Sequence, residues 1–416
     1  MFSWTAGGET WRPNAWLGDA VWATVRSITG AAGVSLLAGA AVFAIAFLLF
    51  RAGRRRGAGA WAAVTATALT VFFLAPSIVP RPLLIGLILL PIAAELAAQV
   101  KTGSLLDLGK LALVMVLWSN LHGSFVVGVA TVGLMEAGWA FDKRTLAEPI
   151  RLVATVSAAG LINPYGIFSY LQAVANRAES GTIEEWQPLS LGDGRGILLV
   201  LFMGVTALAA WRSQKGSGGA HLAVRSGRWE TLLPLVVLAL ATFQSIRIGS
   251  FFLVVAAPLV ALGLSGAASD GLRRWARPRA PAIVVGLGVA AVILAIQQVP
   301  ELTKAGDPDP LFSESLVAAI PSDCRLLNEY DLGGFIIDRR WPDVLVSQDG
   351  RADLYGLEEI RRQDALLNAT EPGPIDNAGV DCVLADSSRP VVGTLTSTPE
   401  WRTIAESSRL VLLQRS

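Results

Sequence analysis

Charge is what this sequence has least of. Lys, Arg, Asp and Glu make up 16% of its 416 residues, where soluble domains carry roughly 25%. With 53% hydrophobic residues and a mean hydropathy of +0.52, the chain reads as a polytopic membrane protein with one soluble piece at its end. The net charge is only +1, and the basic residues are spread among loops. They form no patch of the kind nucleic acid requires. No P-loop, no G-x-G-x-x-G after a strand, no H-E-x-x-H and no C-x-x-C pair occurs, which removes the classes those motifs carry. Few charges lie inside the apolar runs, Glu95 being one exception. An ion pump or proton-coupled transporter would want buried ionisable groups near the midplane. Residues 1–30 are Trp-rich and mostly polar, without the basic and apolar regions of a signal peptide.

What is present is a succession of apolar runs. They predict about ten crossings, near residues 31–50, 59–76, 83–100, 104–118, 124–141, 149–162, 196–211, 231–245, 250–266 and 281–298. The expected fold class is an α-helical polytopic membrane protein with a small C-terminal α/β domain. Its expected divisions are a lead-in (1–30), a transmembrane bundle (31–299), a linker (300–310, "PELTKAGDPDP" in context) and the α/β domain (311–416).

Basic residues orient the bundle. One set of alternate loops carries "RAGRRRG" (51–57), Lys101, Lys110, "DKR" with Arg151, Arg212 to Arg228, and "RRWARPR" (273–279), 17 Lys/Arg in all. The opposite set carries six: Arg12, Arg26, Arg81, Arg177, Arg195 and Arg247. The positive-inside rule makes the first set cytoplasmic. The lead-in and the C-terminal domain are then extracytoplasmic, in a multi-pass membrane protein.

The segment 111–141 is apolar for 31 residues, too long for one crossing of roughly 20 residues and short for two. The orientation explains why Ser119, Asn120 and His122 interrupt it: "SNLHG" is a turn on the outer side. The same side receives residues 2–19, "SIVPRP" (77–82), "LINPYG" (161–166), "IEEWQP" (183–188) and "QSIRIG" (244–249). Residue types able to bind or react thus collect on one face.

Each has two readings. His122 is a proton acceptor, or a donor to a phosphate or sugar hydroxyl; alternatively it and Asn120 cap helix ends. Asn163 and Tyr165 of "NPYG" line the site or simply stop a helix. Arg81 and Arg247 are lone arginines at a membrane boundary, suited to phosphate oxygens or to snorkelling. The outer carboxylates are Glu9, Asp19, Glu184, Glu185 and Asp193. Asp19, Glu184 and Glu185 are the candidate bases, and the Glu184–Glu185 pair also leaves a divalent metal ion open as a cofactor, or is plainly solvated. Trp4, Trp11, Trp16 and Trp186 line a sugar or lipid site, or form an interfacial belt.

In the C-terminal part, αβ alternation predicts a small, mainly parallel sheet. "QDGRADLYG" follows the strand "DVLVS" at a carboxyl end, where ligand groups gather. Asp349, Arg351 and Asp353 are therefore candidates for docking onto the membrane site, or form a self-contained turn network. Both cysteines, Cys324 and Cys382, lie here, as a disulfide if the domain faces an oxidising compartment or as two buried thiols.

The segments "FSWTAGGETWRPNAWL", "RPLL", "WSNLHGSFVVGV", "INPYG", "EEWQP", "IRIGSFFLVVAAPL" and "NEYDLGGFII…VSQDGRADLYG" together resemble a group of bacterial polytopic proteins similar to GT-C glycosyltransferases. That resemblance spans nearly the whole chain. It implies transfer of a sugar from a polyprenyl-phosphate donor to an envelope acceptor at the outer leaflet, in a site built from outer loops with an acid in the first. Members of the group begin with a further transmembrane helix and an acidic segment before "FSWT", and often show His-Glu where this chain has Asn14–Ala15. The first helix and first-loop acid are thus expected to be missing here, with Asp19 as a substitute. The alternative reading is a non-catalytic envelope assembly or binding protein. In whole cells, an impermeant thiol reagent should label a cysteine introduced at Ser416 and spare one at Gly57; the reverse pattern overturns the orientation.

Overall fold

In the computed structural model, the residues described are 2–78, 80–100, 105–178, 187–215, 228–265, 282, 286 and 313–416. The chain divides into two units: residues 13–177 with 183–299, and residues 1–12 with 178–182 and 300–416.

The apolar runs of the first unit become helices. These are α1 (Trp16–Arg55), α2 (Ala60–Leu74), α3 (Leu83–Val100), α4 (Leu105–Leu121), α5 (Phe125–Lys143), α6 (Ala147–Ala159), α7 (Ile167–Ala178), α8 (Gly194–Lys215), α9 (Arg228–Gln244) and α10 (Ile246–Ser265). Among the described residues, six stretches are long and apolar enough to cross a membrane. They lie in α1, α2, α3, α5, α8 and α10. Helices α4, α6 and α9, at 17, 13 and 17 residues, fall on further expected crossings. The expected crossing at 281–298, residues 282 and 286 apart, and the linker 300–310 lie outside the described residues. The span Ile246–Ser265 is 72% buried, against 28–44% for the other five, so α10 forms the axis of the bundle.

Two expectations change here. Residues 16–29, read as lead-in, are helical: α1 runs 40 residues and turns at Gly30, whose φ of 66° suits glycine. Helix α7 was not expected, because its apolar and polar residues average out in hydropathy. It is amphipathic, with Ile167, Phe168 and Leu171 exposed and Ser169 buried, the disposition of a helix lying at an interface.

The second unit is a five-stranded sheet. Its strands are β1 (Arg325–Asn328), β2 (Leu345–Val346), β3 (Cys382–Asp386), β4 (Trp401–Glu406) and β5 (Leu410–Arg415), in the order β2-β1-β3-β5-β4. β2, β1 and β3 are parallel, while β3–β5 and β5–β4 are antiparallel. The sheet is therefore mixed rather than mainly parallel: β4 and β5 are joined by three residues, too few for the crossover that parallel strands need. Alternate residues feed two cores. Cys382, Leu384, Leu410 and Leu412 face one, and Val383, Ala385, Val411 and Leu413 the other.

The chain's own start completes this sheet. Ser3 bridges Val346 in parallel, with Trp4 N donating to Val346 O at 3.2 Å and Val346 N to Phe2 O at 3.2 Å. Trp4 packs against the second core and donates from Nε1 to Leu326 O at 3.2 Å. Residues 2–5 and the C-terminal domain are thus one folded body on one side of any membrane. The number of crossings between them is even.

Cys324 and Cys382 form a disulfide, with Cα atoms 6.1 Å apart, because parallel pairing sets Leu326 beside Cys382. The two cysteines are 58 residues apart, and closing a loop of that size stabilises a fold by about 4 kcal/mol on the chain-entropy account. Reduction should accordingly lower the domain's thermal unfolding temperature by many degrees while its secondary structure at 20 °C persists. An unchanged melting curve after complete reduction would show that the sheet holds without the bond.

Candidate functional site

Polar residues have few places to stand in a helical bundle, and one group of them gathers at the end that holds the α4–α5 turn. The α4–α5 turn supplies His122, the start of α10 supplies Arg247, and the segment before α3 supplies Arg81. Close backbone approach brings these parts together. A Cβ on Gly18 would lie 2.2 Å from Leu121 O and 3.3 Å from Pro82 Cβ, so only glycine lets α1 pass the turn and the head of α3. Gly86 does the same for Ser124, whose Oγ would be 2.3 Å from an added Cβ.

His122 is buried, and its pKa is pushed down to about 3, first by burial and then by the positive fields of Arg247 and Arg81. Arg247 and Arg81 therefore each lie within electrostatic reach of His122. The hydrogen bonds fix the imidazole's role. Ser124 N–H donates to His122 Nδ1 at 3.1 Å, so Nδ1 is an acceptor and the neutral ring carries its proton on Nε2. Ser124 Oγ accepts from Trp118 Nε1 at 3.1 Å and lies 2.6 Å from Nδ1, leaving its hydroxyl proton for the ring. Of the two roles open to His122, this arrangement equips it as a neutral Nε2–H donor.

A third arginine joins this end. Arg195, at the start of α8, donates from Nη2 to Ser77 Oγ at 2.9 Å, and Ser77 Oγ is 2.8 Å from Ser250 Oγ. Both serines are buried, and Ser250 follows Arg247 by three residues on α10. In the sequence Arg195 counted only as one of six basic residues on its face. Its neighbour Asp193, whose Oδ1 accepts from Arg195 N at 3.2 Å, makes the stretch look like an ordinary helix start.

The asparagines are fully engaged. Asn120 Oδ1 accepts from Trp16 Nε1 at 2.9 Å, and Nδ2 donates to Val116 O at 2.7 Å and Ile162 O at 2.8 Å. Asn163 Oδ1 accepts from Tyr165 N at 2.9 Å and Ser169 Oγ at 2.7 Å, while Nδ2 donates to Gly160 O at 2.8 Å. Both fasten turns, as Asx residues do. Tyr165 is half-buried in the same turn. Asp19 is exposed in the first turn of α1, next to Gly18. Glu184, Glu185 and Trp186 lie outside the described residues. Among the described residues, no group of three or more His, Cys, Asp or Glu is placed to hold a metal ion.

Within the other unit, Asp349 is buried and engaged by its own neighbours. Arg351 Nε donates to Oδ1 at 2.7 Å and Tyr355 Oη to Oδ2 at 2.7 Å. Burial and Asp349 together push the Tyr355 hydroxyl well above the usual phenol range. The Arg351 guanidinium lies over the rings of Phe2 at 5.3 Å and Trp11 at 5.2 Å. Trp11 Nε1 reaches Asp353 Oδ2 at 3.3 Å. This turn network is closed by the lead-in of the same unit.

No protein-family model matches the chain, and no curated protein matches it in sequence. Among solved structures, it is similar to the crystal structure of the Archaeoglobus fulgidus oligosaccharyltransferase tethered with an acceptor peptide containing the NVT sequon via a disulfide bond. The TM-score is 0.52 at 13% identity, covering 92% of this chain and 62% of that one. The chain thus spans less than two thirds of that structure's length, and the likeness is one of fold.

The lowered pKa has a consequence. Unfolded histidine titrates near 6.5, whereas His122 takes no proton until about pH 3. Unfolding therefore binds a proton between those values, and the stability His122 contributes falls as pH falls from about 6.5 toward 3. In a His221→Gln background, leaving one of the two histidines, the imidazole NMR signals should stay those of the Nε2–H tautomer from pH 8 to pH 5. A titration centred near pH 6.5 would contradict the geometry.

Proposed function

We propose that this chain is a GT-C-type membrane glycosyltransferase of the bacterial plasma membrane, transferring a sugar from a polyprenyl-phosphate donor to an envelope acceptor at the outer leaflet. The observation that carries this reading is a buried, neutral His122 at one end of the bundle that feels the positive charges of both Arg81 and Arg247. The fold shared with an oligosaccharyltransferase supports it.

Two permanent guanidiniums suit a phosphate that gains a negative charge as it leaves and carries two or more once released. His122 Nε2–H adds a neutral donor to a phosphate oxygen or a sugar hydroxyl. The acceptor oxygen attacks the anomeric carbon as the carbon–oxygen bond to phosphate breaks. The acceptor's proton passes to a carboxylate, for which Asp19 is the candidate on the first helix and Glu184 or Glu185 the alternative, alone or as ligands of a divalent ion. Stabilising the charge that develops on phosphate is the largest single contribution expected of such a site. The Lys/Arg asymmetry of the loops supports placing this end outside, and the Cys324–Cys382 disulfide supports an oxidising compartment for the C-terminal domain.

The test is transfer of labelled sugar from polyprenyl-phosphate donors in membranes containing the chain. Arg247→Lys should lose at least about tenfold in kcat/KM, about 1.4 kcal/mol, despite keeping the charge, because lysine lacks the bidentate fork. Asp19→Asn should fall further if Asp19 is the base. Wild-type activity in Arg247→Lys would mean that this arginine only snorkels to headgroups.

A further inference from the structure

A partly open space lies at the other end of the helical unit, beside the basic loop 51–57. It is a cavity of about 410 Å³ between α1, α3, α4, α5, α9 and α10. Its lining joins apolar residues such as Leu90, Met135 and Val254 to charges of both signs: Arg55 and Arg56 against Glu95, Asp107 and Glu230. Glu95 pairs with Arg55 and, at 3.8 Å, with Arg51. Glu230 is 2% exposed, and its charge reaches Arg56.

Three helix-interior prolines, Pro91 of α3, Pro234 of α9 and Pro258 of α10, line this same cavity. A proline removes the N–H that the carbonyl four residues earlier would accept. In α9 and α10 those earlier residues are Glu230 and Val254, which themselves line the space. In hydrocarbon, such carbonyls must be served by protein, water or ligand.

We propose that this cavity binds the zwitterionic headgroup of a phosphoethanolamine phospholipid. The phosphate meets Arg55 and Arg56, and the primary ammonium meets the Glu230 carboxylate and the backbone carbonyls beside Pro234 and Pro258. The charge pattern selects a zwitterion over an anionic lipid, since the three acids of the lining would repel a bare anion. The acceptor-rich wall selects a primary ammonium, with three N–H donors, over a trimethylammonium. None of the described lining residues is aromatic, and an aromatic cage is what choline recognition uses. A lone metal ion fits poorly, because no set of three metal-ligating side chains occurs among the described residues. A lipid rather than a soluble zwitterion follows from the walls: α1, α3 and α10 each contain a candidate membrane span, and Leu90, Met135 and Val254 give glycerol and acyl carbons an apolar surface. The proposal is independent of the transferase reading.

The full chain, purified in detergent, would be titrated with dioleoyl-phosphatidylethanolamine, dioleoyl-phosphatidylcholine, dioleoyl-phosphatidylglycerol and soluble glycerophosphoethanolamine, with bound species read by native mass spectrometry and by thermal shift. The expected result is retention of the ethanolamine lipid about tenfold better than the other two lipids, the difference of one charge-assisted hydrogen-bond set. Glu230→Gln should abolish that preference. Because Glu230→Gln can also disturb folding, Ala98→Leu, which fills the cavity without touching a charge, provides a second variant and should give the same loss. Equal retention of all three lipids, or an undiminished preference in Ala98→Leu, overturns the proposal. Binding of glycerophosphoethanolamine as tight as the lipid overturns the membrane source.

Discussion

A bilayer offers a backbone amide no water, and from that constraint the rest of the arrangement follows. Each N–H and C=O in hydrocarbon must be bonded within the chain, so irregular backbone and the side chains that serve it are pressed to helix ends. The α4–α5 turn shows the consequence atom by atom. Asn120 takes up the carbonyls of Val116 and Ile162, and Ser124 stands between Trp118 and His122. The polar residues of the turn first satisfy one another and the backbone. What the turn has left to offer is the Nε2–H of a neutral imidazole. The candidate chemistry at this end is a by-product of how the turn is closed.

The other unit solves a different problem. β2 has only two residues and stands at the edge of the sheet, where an unpaired strand invites unwanted pairing. Residues 2–5 cover it, and Trp4 joins the core beneath. The segments "FSWTAGGETW" and "QDGRADLYG", far apart in the chain, are two sides of one contact. Phe2 and Trp11 bracket Arg351, and Ser3 Oγ donates to Ser347 O at 3.3 Å. Their tryptophans and charged residues are explained by packing before any ligand is invoked.

How far the sequence is readable tracks how local each signal is. Hydropathy places α2, α3 and α5 within a few residues, because each is apolar throughout its length. It misses α7, whose two faces cancel. It also misjudges residues 16–29, where scattered Trp, Val and Ala make a helix without a continuous apolar run. Strands β1 and β3 are readable from short apolar runs bounded by polar residues. The pairing of residues 2–5 with β2 is non-local and leaves no pattern in either segment. Lone charges in apolar surroundings draw the eye to Arg81, His122 and Arg247, whereas Arg195 is concealed by the polar residues beside it. Glu230, 2% exposed, escapes for the same reason: it stands beside a basic loop in sequence and reads as loop charge, and the packing of α5 against α9 encloses it.

The two ends of the bundle carry opposite electrostatic designs. Around Glu230 and Arg56, charges of both signs are interleaved, so the local field largely cancels and a group bearing both signs fits. Around His122, the positive fields of Arg81 and Arg247, from two different elements, both act on the imidazole. A third positive charge on the imidazole is then unfavourable, in keeping with its depressed pKa. An anion entering this end would cancel part of the field and raise the affinity of His122 for a proton, and by reciprocity a proton on His122 would tighten the hold on the anion. The sign of that coupling favours tight binding of a group as its negative charge grows, which is what a departing phosphate does.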